Sequence, residues 1–418
     1  MKSLKEQFDE LRLSARSSGR SSDDPFILKL INLLIGHGVG SAASDIHIEP
    51  TRVGARIRYR IDGILHELLQ VPDEVRDPLL RAIKTRANLA TDVVGRSKPQ
   101  DGRIDFEIDG KVLDLRLSSF PTLHGDVVAI RVLDRSAPRL KLEQLGFPLH
   151  LLEEFSKLIR RPSGFMLVAG PTNSGKTTTL YAVLEKIRSP HIKVVTLEDP
   201  VEYQLEGVDQ AQVNPQIGFT FASGLRAILR QDANVILVGE IRDTETVDIA
   251  TRAALTGHLV LSTLHTRHAC GAITRLLDMG IEAHLIVASV TGVLAMRLVR
   301  LVCQACAQPD PLAEKTFTRL LPEAGQPGLA LTATRTFVRG AGCPQCNGTG
   351  YRGRTALFEL LALTDVLRAH VLEGSSLGLY KAALGTGMRT MLLDGLEKSA
   401  QGLTTIEEVL RVIGETEE

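Results

Sequence analysis

The stretch that decides the fold is FMLVAGPTNSGKTTTLYAVLEKI, residues 165–187. It starts with a short apolar run, passes through a turn rich in glycine and hydroxyl side chains, and ends in a segment with helical spacing. The turn has the spacing G-x-x-x-x-G-K-T of the Walker A pattern, whose curled backbone and following helix amino end bind phosphate oxygens. We therefore expect ATP to bind through Gly170, Pro171, Thr172, Asn173, Ser174, Gly175, Lys176, Thr177 and Thr178.

Two side chains of this turn and one carboxylate further along the chain predict a magnesium site. Lys176 supplies a positive charge to the outer phosphates, and Thr177 offers a hydroxyl to Mg²⁺. The fragment NVILVGEIRD ends an apolar run at Gly239 and places Glu240 directly after it. This is a Walker B arrangement, so we expect Glu240 and Thr177 to hold Mg²⁺ beside the phosphates.

Short apolar runs alternate with helical segments through the second half of the chain. They cover residues 165–169, 194–197, 235–238 and 259–261. Buried strands that alternate with helices indicate an α/β fold with a parallel sheet covered on both faces. Ligands bind at the carboxyl ends of the strands in such sheets, so the catalytic side chains are expected there.

Two further strand ends carry polar side chains. TLEDPVEYQ supplies Glu198, Asp199 and Glu202, of which one carboxylate could hold a metal or orient the attacking water. The residue pattern alone does not choose among the three. HLVLSTLHT places His258 and His265 seven residues apart, where they could sense the γ-phosphate, although a structural role for His258 is an equal alternative.

Four of the five cysteines form two pairs, Cys303-x-x-Cys306 and Cys343-x-x-Cys346, separated by 36 residues. In a chain with too few cysteines for a disulfide scaffold, two such pairs indicate a tetrahedral Zn²⁺ site. With four thiolates no position remains for water, so the predicted role is structural. Cys270 stands alone and is expected to be a small core residue.

The first part of the chain has a different pattern. Residues 1–24 are polar and predict a mobile tail, and residues 25–137 predict a small α+β domain of alternating strands. Within it, GARIRYRIDG alternates apolar residues with Arg56, Arg58 and Arg60, which form either a solvated sheet face or a surface that meets a neighbouring subunit. Residues 138–148 predict a linker.

The remaining residues, 149–418, are expected to form the nucleotide-binding domain. It would include the zinc-binding insertion at about 297–350 and a helical region at about 364–418.

Composition excludes several classes of protein. The 418 residues include 49 Lys plus Arg and 49 Asp plus Glu, and aromatic residues make up 4% with no Trp. Zero net charge and few stacking side chains argue against stable nucleic-acid binding. The hydrophobic share of 44% argues against a disordered chain. We find neither an apolar segment of about 20 residues nor a signal-peptide core.

Several motifs resemble those of the secretion ATPase superfamily, and in particular the ATPases of type II secretion and type IV pilus assembly: GPTNSGKT, TLEDPVEY, GEIRD, GHLVLSTLHT, SDIHIEP, RYRIDG, QDGRI and GYRGRTALFELL. The resemblance runs from about residue 25 to the carboxyl terminus. It implies a homohexameric motor whose subunits join an amino-terminal regulatory domain to a RecA-like P-loop ATPase domain through a flexible linker.

The resemblance also implies residues for ATP hydrolysis: two glutamates, two histidines and four arginines. Glu202 matches the general base, Glu240 the Walker B carboxylate, and His258 and His265 the histidines of the His box. The arginines would gather on the nucleotide, some from another domain or subunit, and offset charge on the phosphoryl oxygens. They are Arg116, Arg131, Arg226 and Arg230.

The implied partners are an integral inner-membrane platform protein and other components of the machine. The chain is then expected to be cytoplasmic and peripheral at the inner membrane. The four cysteines favour assembly, since retraction-type members generally lack them. Two alternatives remain: a nucleotide-binding scaffold with little turnover, and a nucleic-acid motor or DNA-uptake ATPase of the same superfamily.

Overall fold

The computed structural model describes residues 3–14, 21–92, 98–108, 110–134, 139–322, 324 and 335–414. The chain divides into two compact units, Met1–Pro138 and Arg139–Glu418. Among the described residues, no helix has both the length and the apolar character needed to cross a membrane.

The first unit is an antiparallel sheet with helices packed on it. The sheet order is β3-β2-β1-β6-β5-β4, and Tyr59 lies in the core, where its hydroxyl donates to the Leu34 carbonyl oxygen at 2.6 Å. The elements are α1 (Leu4–Ser14), α2 (Pro25–Gly40), β1 (Ala43–Thr51), β2 (Gly54–Ile61), β3 (Ile64–Pro72), α3 (Asp73–Arg86), β4 (Gln100–Ile108), β5 (Lys111–Thr122) and β6 (Gly125–Asp134).

The polar tail predicted for residues 1–24 is wrong for the part that the structure describes at the start of the chain. Helix α1 buries Leu4 and Phe8 in the core of the first unit, and the Phe8 ring centroid lies 6.2 Å from that of Phe26. Residues four apart share one face of a helix. Two apolar side chains at that spacing anchor an otherwise polar helix to the core. The average composition of the segment is polar and does not indicate this contact. Residues 15–20 lie outside the described residues.

The arginines of β2 are paired with carboxylates of β1. Arg56 and Arg58 both donate to Glu49, and the Arg60 Nε lies 3.7 Å from the Asp45 Oδ2. Cross-strand pairs of opposite charge stabilise a sheet face by less than about 1 kcal/mol each. These arginines are therefore engaged within the first unit itself.

The second unit is built on a mixed sheet with the order β15-β12-β7-β11-β10-β8-β9. The predicted α/β fold is confirmed, with an antiparallel edge because β15 pairs antiparallel with β12. The elements are α4 (Leu149–Leu158), β7 (Gly164–Ala169), α5 (Lys176–Ile187), β8 (Val194–Glu198), β9 (Asp209–Gln212), α6 (Phe221–Ile228), β10 (Val235–Val238), α7 (Thr244–Leu255), β11 (Leu259–Leu264), α8 (Ala269–Asp278), α9 (Ala283–Ser289), β12 (Val290–Val302), β13 (Ala307–Pro309), α10 (Ala313–Leu320), β14 (Val338–Gly340), β15 (Tyr351–Ala362), α11 (Asp365–Leu372), α12 (Ser376–Gly385), α13 (Met391–Ala400) and α14 (Ile406–Gly414).

The linker predicted for residues 138–148 differs from the structure, which packs most of it into the second unit. Leu142 and Leu145 are buried in the core beside α5, and the Phe147 ring stacks on Phe358 with centroids 3.7 Å apart. The prolines of this stretch suggested a flexible connection, whereas its spaced apolar residues anchor it. Pro138 lies outside the described residues.

The insertion expected at about 297–350 begins later than predicted. Strand β12 runs on to Val302 in the main sheet, and the insertion proper starts at Cys303. Strand β7 pairs with β12 only as far as Ala295, so the rest of β12 and its partner β15 extend beyond β7 as a two-stranded arm. Residues 323 and 325–334 lie outside the described residues.

Candidate active site and cysteine cluster

The phosphate-binding turn connects β7 to α5, and two glycines allow its shape. Gly175 caps α5 with φ +96°, a left-handed conformation that favours glycine. A Cβ on Gly170 would lie 2.7 Å from the Met296 carbonyl oxygen, and one on Gly175 would lie 3.0 Å from the Met296 Cε. Strand β12 therefore supports this turn from behind, and a Cβ at Gly170 would collide with its backbone.

Lys176 is buried at the start of α5. Its Nζ donates to the carbonyl oxygens of Gly170 at 2.8 Å and Pro171 at 2.7 Å. Burial lowers the pKa of this ammonium to about 8, a shift that Glu240 opposes and Arg297 reinforces. The Lys176 ammonium therefore interacts electrostatically with both Glu240 and Arg297.

Glu240 follows β10 and lies among three basic side chains. Arg242 Nη2 donates to its Oε1 at 2.5 Å, and His265 Nε2 lies 3.7 Å from its Oε2. Burial and the charge of Lys176 lower the pKa of His265, so the imidazole is neutral at neutral pH. The carboxyl edge of the sheet thus brings together Lys176, Glu240 and His265. The sequence motifs did not single out Arg242, although the string GEIRD places it two residues from Glu240.

The three carboxylates at the end of β8 have different surroundings. Glu198 is buried and accepts hydrogen bonds from the Tyr181 hydroxyl, from Thr196 Oγ1 at 2.5 Å and from Gln210 Nε2 at 3.2 Å. Three donors already hold this carboxylate within the unit, which disfavours it as a base.

Asp199 and Glu202 have different partners from Glu198. Asp199 pairs with Arg242 at 3.2 Å. Glu202 is half-buried, and its backbone N–H donates to the Tyr181 hydroxyl oxygen at 3.2 Å. Tyr181 therefore links β8 to the loop that carries Glu202, a role that its place in an amphipathic helix did not indicate.

The structure does not bring His258 to this group. His258 precedes β11 and His265 follows it, so the six-residue strand separates them by about 20 Å. The His258 Nδ1 lies 3.0 Å from the Ala253 carbonyl oxygen at the amino edge of the sheet. Of the two histidines predicted to sense the γ-phosphate, the structure therefore places only His265 beside Lys176 and Glu240.

The four predicted arginines fall into two sets. In the second unit, Arg226 on α6 donates to Glu245 at 2.5 Å, and Arg230 Nη1 donates to the Arg226 carbonyl oxygen at 2.9 Å. In the first unit, Arg116 and Arg131 are directly opposite each other on β5 and β6.

The four paired cysteines converge, as their spacing predicts. All four Sγ atoms lie within 4.8 Å of one another, with Cys303 and Cys343 at 3.8 Å, Cys306 and Cys346 at 3.9 Å, and Cys343 and Cys346 at 3.7 Å. Four thiolates about 2.3 Å from one Zn²⁺ would be about 3.8 Å apart at the corners of a tetrahedron. The thiol geometry therefore fits structural zinc.

Backbone donors favour the thiolate form of one of these cysteines. Although burial opposes it, the N–H groups of Cys343 and Gly350 help to lower the pKa of Cys346 to about 6. Cys270 is buried elsewhere in the core, as predicted, and burial raises its pKa to about 12.

The sequence model of the family described as "Type II/IV secretion system protein" matches residues 20–411. The chain belongs to this family. The resemblance drawn from the sequence motifs is thereby confirmed.

Individual relatives agree with this family assignment. The chain is 46% identical over 396 residues to the "Type II secretion system ATPase E" of Vibrio cholerae, covering 95% of this chain and 77% of the relative. It is 48% identical over 394 residues to the "Type II secretion system protein E" of Dickeya dadantii, covering 94% and 77%. The "Type IV pilus assembly ATPase PilB" of Myxococcus xanthus is 44% identical over 393 residues, covering 94% and 68%.

Solved structures share the architecture. The pilus retraction motor PilT with bound ADP superposes with a TM-score of 0.61 at 26% identity, covering 90% of this chain and 95% of that one. The Legionella pneumophila ATPase DotB gives a TM-score of 0.68 at 22% identity, covering 93% and 96%, which supports the fold alone.

Proposed function

We propose that this chain hydrolyses ATP at the turn that carries Lys176 and uses the energy to drive pseudopilus or pilus assembly in type II secretion or type IV pilus biogenesis. The observation that carries the proposal is the convergence of Lys176, Glu240 and His265 at the carboxyl edge of the sheet. Its family and the ATPases named among its relatives support the same activity.

The phosphates would lie on the amino end of α5, where backbone N–H groups point outward and Lys176 supplies a positive charge. Thr177 is exposed at this helix end, and its hydroxyl with the Glu240 carboxylate would hold Mg²⁺, which neutralises charge on the β- and γ-oxygens. Lys176 must exchange its two carbonyl partners for phosphate oxygens when ATP binds.

Hydrolysis requires water to form a bond to the γ-phosphorus while the bond to the β–γ bridging oxygen breaks and ADP leaves. We propose Glu202 as the group that accepts the water proton, following the motif TLEDPVEY. Glu198 of the same motif is held by three hydrogen-bond donors, which disfavours it in this role. His265 would remain neutral and donate one hydrogen bond near the γ-phosphate.

Arginines would complete the charge balance in an assembled ring. We propose a homohexamer in which Arg226 and Arg230, together with Arg116 and Arg131 of the first unit, offset charge on the phosphoryl oxygens. Zn²⁺ bound by Cys303, Cys306, Cys343 and Cys346 would hold the insertion together. The motor would act on an integral inner-membrane platform protein and would therefore be peripheral at that membrane.

Substitution of carboxylates tests the enzymatic part of this proposal. With ATP and Mg²⁺, the wild-type protein should release phosphate, Glu202→Gln should lose at least about 100-fold in kcat, and both should bind ATP with similar affinity. Glu206→Gln changes an exposed carboxylate four residues away and is the matched control. Absence of both ATP binding and hydrolysis by folded wild-type protein would refute the proposal.

The same variant separates a motor from a scaffold. A motor carrying Glu202→Gln should fail to support filament assembly in cells although it binds ATP. Normal assembly by that variant would instead favour a nucleotide-binding scaffold with little turnover.

A further inference from the structure

Two buried ionisable side chains lie behind the phosphate-binding turn, and the hydrolysis steps above use neither. Arg297 on β12 and Glu359 on β15 are 4% and 3% exposed. Their strands are neighbours, with Glu359 directly opposite Ala295. Charges buried this deeply cost several kcal/mol unless hydrogen bonds and opposite charges compensate them. Their partners therefore identify what these side chains hold in place.

Glu359 accepts hydrogen bonds from the amino ends of two helices. The Ala269 N–H donates to its Oε1 at 2.8 Å, and the Met391 N–H also donates to its carboxylate. Ala269 is the first residue of α8, and Met391 is the first residue of α13. A carboxylate at a helix amino end satisfies a free N–H and interacts favourably with the helix dipole. One buried side chain thus contacts the amino ends of both helices, beside the N-cap side chains of His268 and Thr390.

Arg297 fixes the segment that leads into α8. Its Nη2 donates to the Arg267 carbonyl oxygen at 2.8 Å, and its Nη1 donates to the Met296 carbonyl oxygen at 3.1 Å. Met296 is the residue that contacts the phosphate-binding turn from behind, and its sulfur accepts a hydrogen bond from Thr179 at 3.3 Å. The guanidinium therefore ties the segment to the strand that supports this turn.

The tethered segment, residues 265–268, joins β11 to α8 and begins with His265. Arg297 holds its third residue, and Glu359 holds the helix that follows immediately after its end. The His265 ring lies 3.7 Å from the Glu240 carboxylate, so small shifts of the segment change this contact.

We infer that Arg297 and Glu359 are positioning residues that tether residues 265–268 and thereby hold His265 in register with Glu240 and the phosphate-binding turn. The inference rests on the proposed ATP hydrolysis for its catalytic consequence. Neither side chain need touch ATP: both act through the backbone of the segment that carries His265. If Arg297 and Glu359 only stabilised the core, any variant that still folds would keep His265 in its present position.

Amide hydrogen exchange measures the tether without any turnover. In the full chain, Glu359→Gln keeps the side-chain shape but replaces one acceptor oxygen by an amide NH₂ group, and Arg297→Met removes the donor to Arg267. We expect each variant to accelerate exchange at least about tenfold in residues 265–271, and Glu359→Gln to do so also at the start of α13, with β7 and α5 unchanged. Arg354→Met, at an exposed position of β15, is the matched control and should leave these regions unchanged.

Uniform acceleration over the whole second unit, or no acceleration in residues 265–271, would overturn the tether. If Arg297→Met does not fold, Arg297→Lys keeps the charge but cannot span both carbonyl oxygens in the planar geometry of arginine. It should then show the same local acceleration.

Steady-state kinetics measure the catalytic consequence. Displacement of a catalytic group by about 1 Å costs on the order of 100-fold in rate. We expect Arg297→Met and Glu359→Gln to lower kcat 10- to 100-fold while ATP affinity changes less than about threefold. Because both would act through His265, adding either substitution to His265→Ala should lower kcat by less than about twofold more.

Additive losses in these double variants would show an effect independent of His265 and would overturn the inference. If the wild type is active and both single variants have unchanged kcat, the inference is overturned but the proposed function is not. Wild-type protein without turnover would instead refute the proposed function, and the catalytic half of this inference with it, whereas hydrogen exchange would still decide the tether.

Discussion

We expect Lys176 to make ATP binding depend on pH, in a range where a lysine ordinarily stays fully charged. Burial lowers its pKa to about 8 from the ordinary value of 10.5. The ammonium form is the one that attracts phosphate, and it is lost as the pH rises through 8. We therefore expect ATP binding to weaken between pH 7 and pH 9, with no comparable change between pH 6.5 and pH 7.

The size of the effect follows from the fraction of charged lysine. If only the ammonium form binds ATP, the apparent Kd is multiplied by about 1.1 at pH 7, about 2 at pH 8 and about 11 at pH 9. Bound phosphate should also raise the pKa of Lys176, so about half a proton is taken up per ATP bound at pH 8. Isothermal titration calorimetry in two buffers of different ionisation enthalpy measures both quantities.

Lys176→Arg provides the control, because an arginine stays charged over this whole range. It should bind ATP with an affinity that is nearly constant from pH 7 to pH 9, even if that affinity is lower at pH 7. His265 adds no charge change, since its lowered pKa leaves it neutral there. A flat wild-type profile, or an equal slope in Lys176→Arg, would refute the link between burial of this lysine and phosphate affinity.

Three further outcomes can be measured. Phe8→Ala should lower the free energy of unfolding of the first unit by about 3–5 kcal/mol in denaturant unfolding. Leu13→Ala, on the same helix but 88% exposed, should change this free energy by less than about 0.5 kcal/mol. Equal effects of the two substitutions would contradict the packing of this helix. Cys346→Ser should abolish zinc content by atomic emission and keep ATP binding, while Cys270→Ala keeps the metal; zinc-free wild type would contradict the site. His265→Ala should lower kcat at least about tenfold and His258→Ala less than about twofold, and the reverse order would show that the sheet edge is not the site of chemistry.

Local patterns predicted the strand and the helix that flank Lys176, because a strand-turn-helix geometry is encoded locally. The spacing of Gly170, Gly175 and Lys176 requires a strand before it and a helix after it, and the structure has β7 and α5 there. The two cysteine pairs could likewise be matched from their spacing alone, since tetrahedral zinc chemistry demands four convergent thiolates.

The features that sequence reasoning missed depend on contacts between distant parts of the chain. Arg297 and Glu359 look like ordinary polar residues of two strands until their burial and helix-end partners are known. His258 was grouped with His265 because they are close in sequence, although an intervening strand carries them to opposite edges of the sheet. The packing of helix α1 was not predicted, because Leu4 and Phe8 are two apolar residues among many polar ones.

The two-stranded arm formed by β12 and β15 has a mechanical consequence. Its root is Met296, against the phosphate-binding turn, and its tip is Cys303, seven residues or about 23 Å further on. At the tip the Cys303 N–H donates to the Gly350 carbonyl oxygen at 2.9 Å, and Arg300 is braced by Glu408 of α14 at 2.7 Å. The cysteine cluster thus lies at the end of two paired strands, so a force applied to it would be transmitted along β12 to the residue that contacts the phosphate-binding turn.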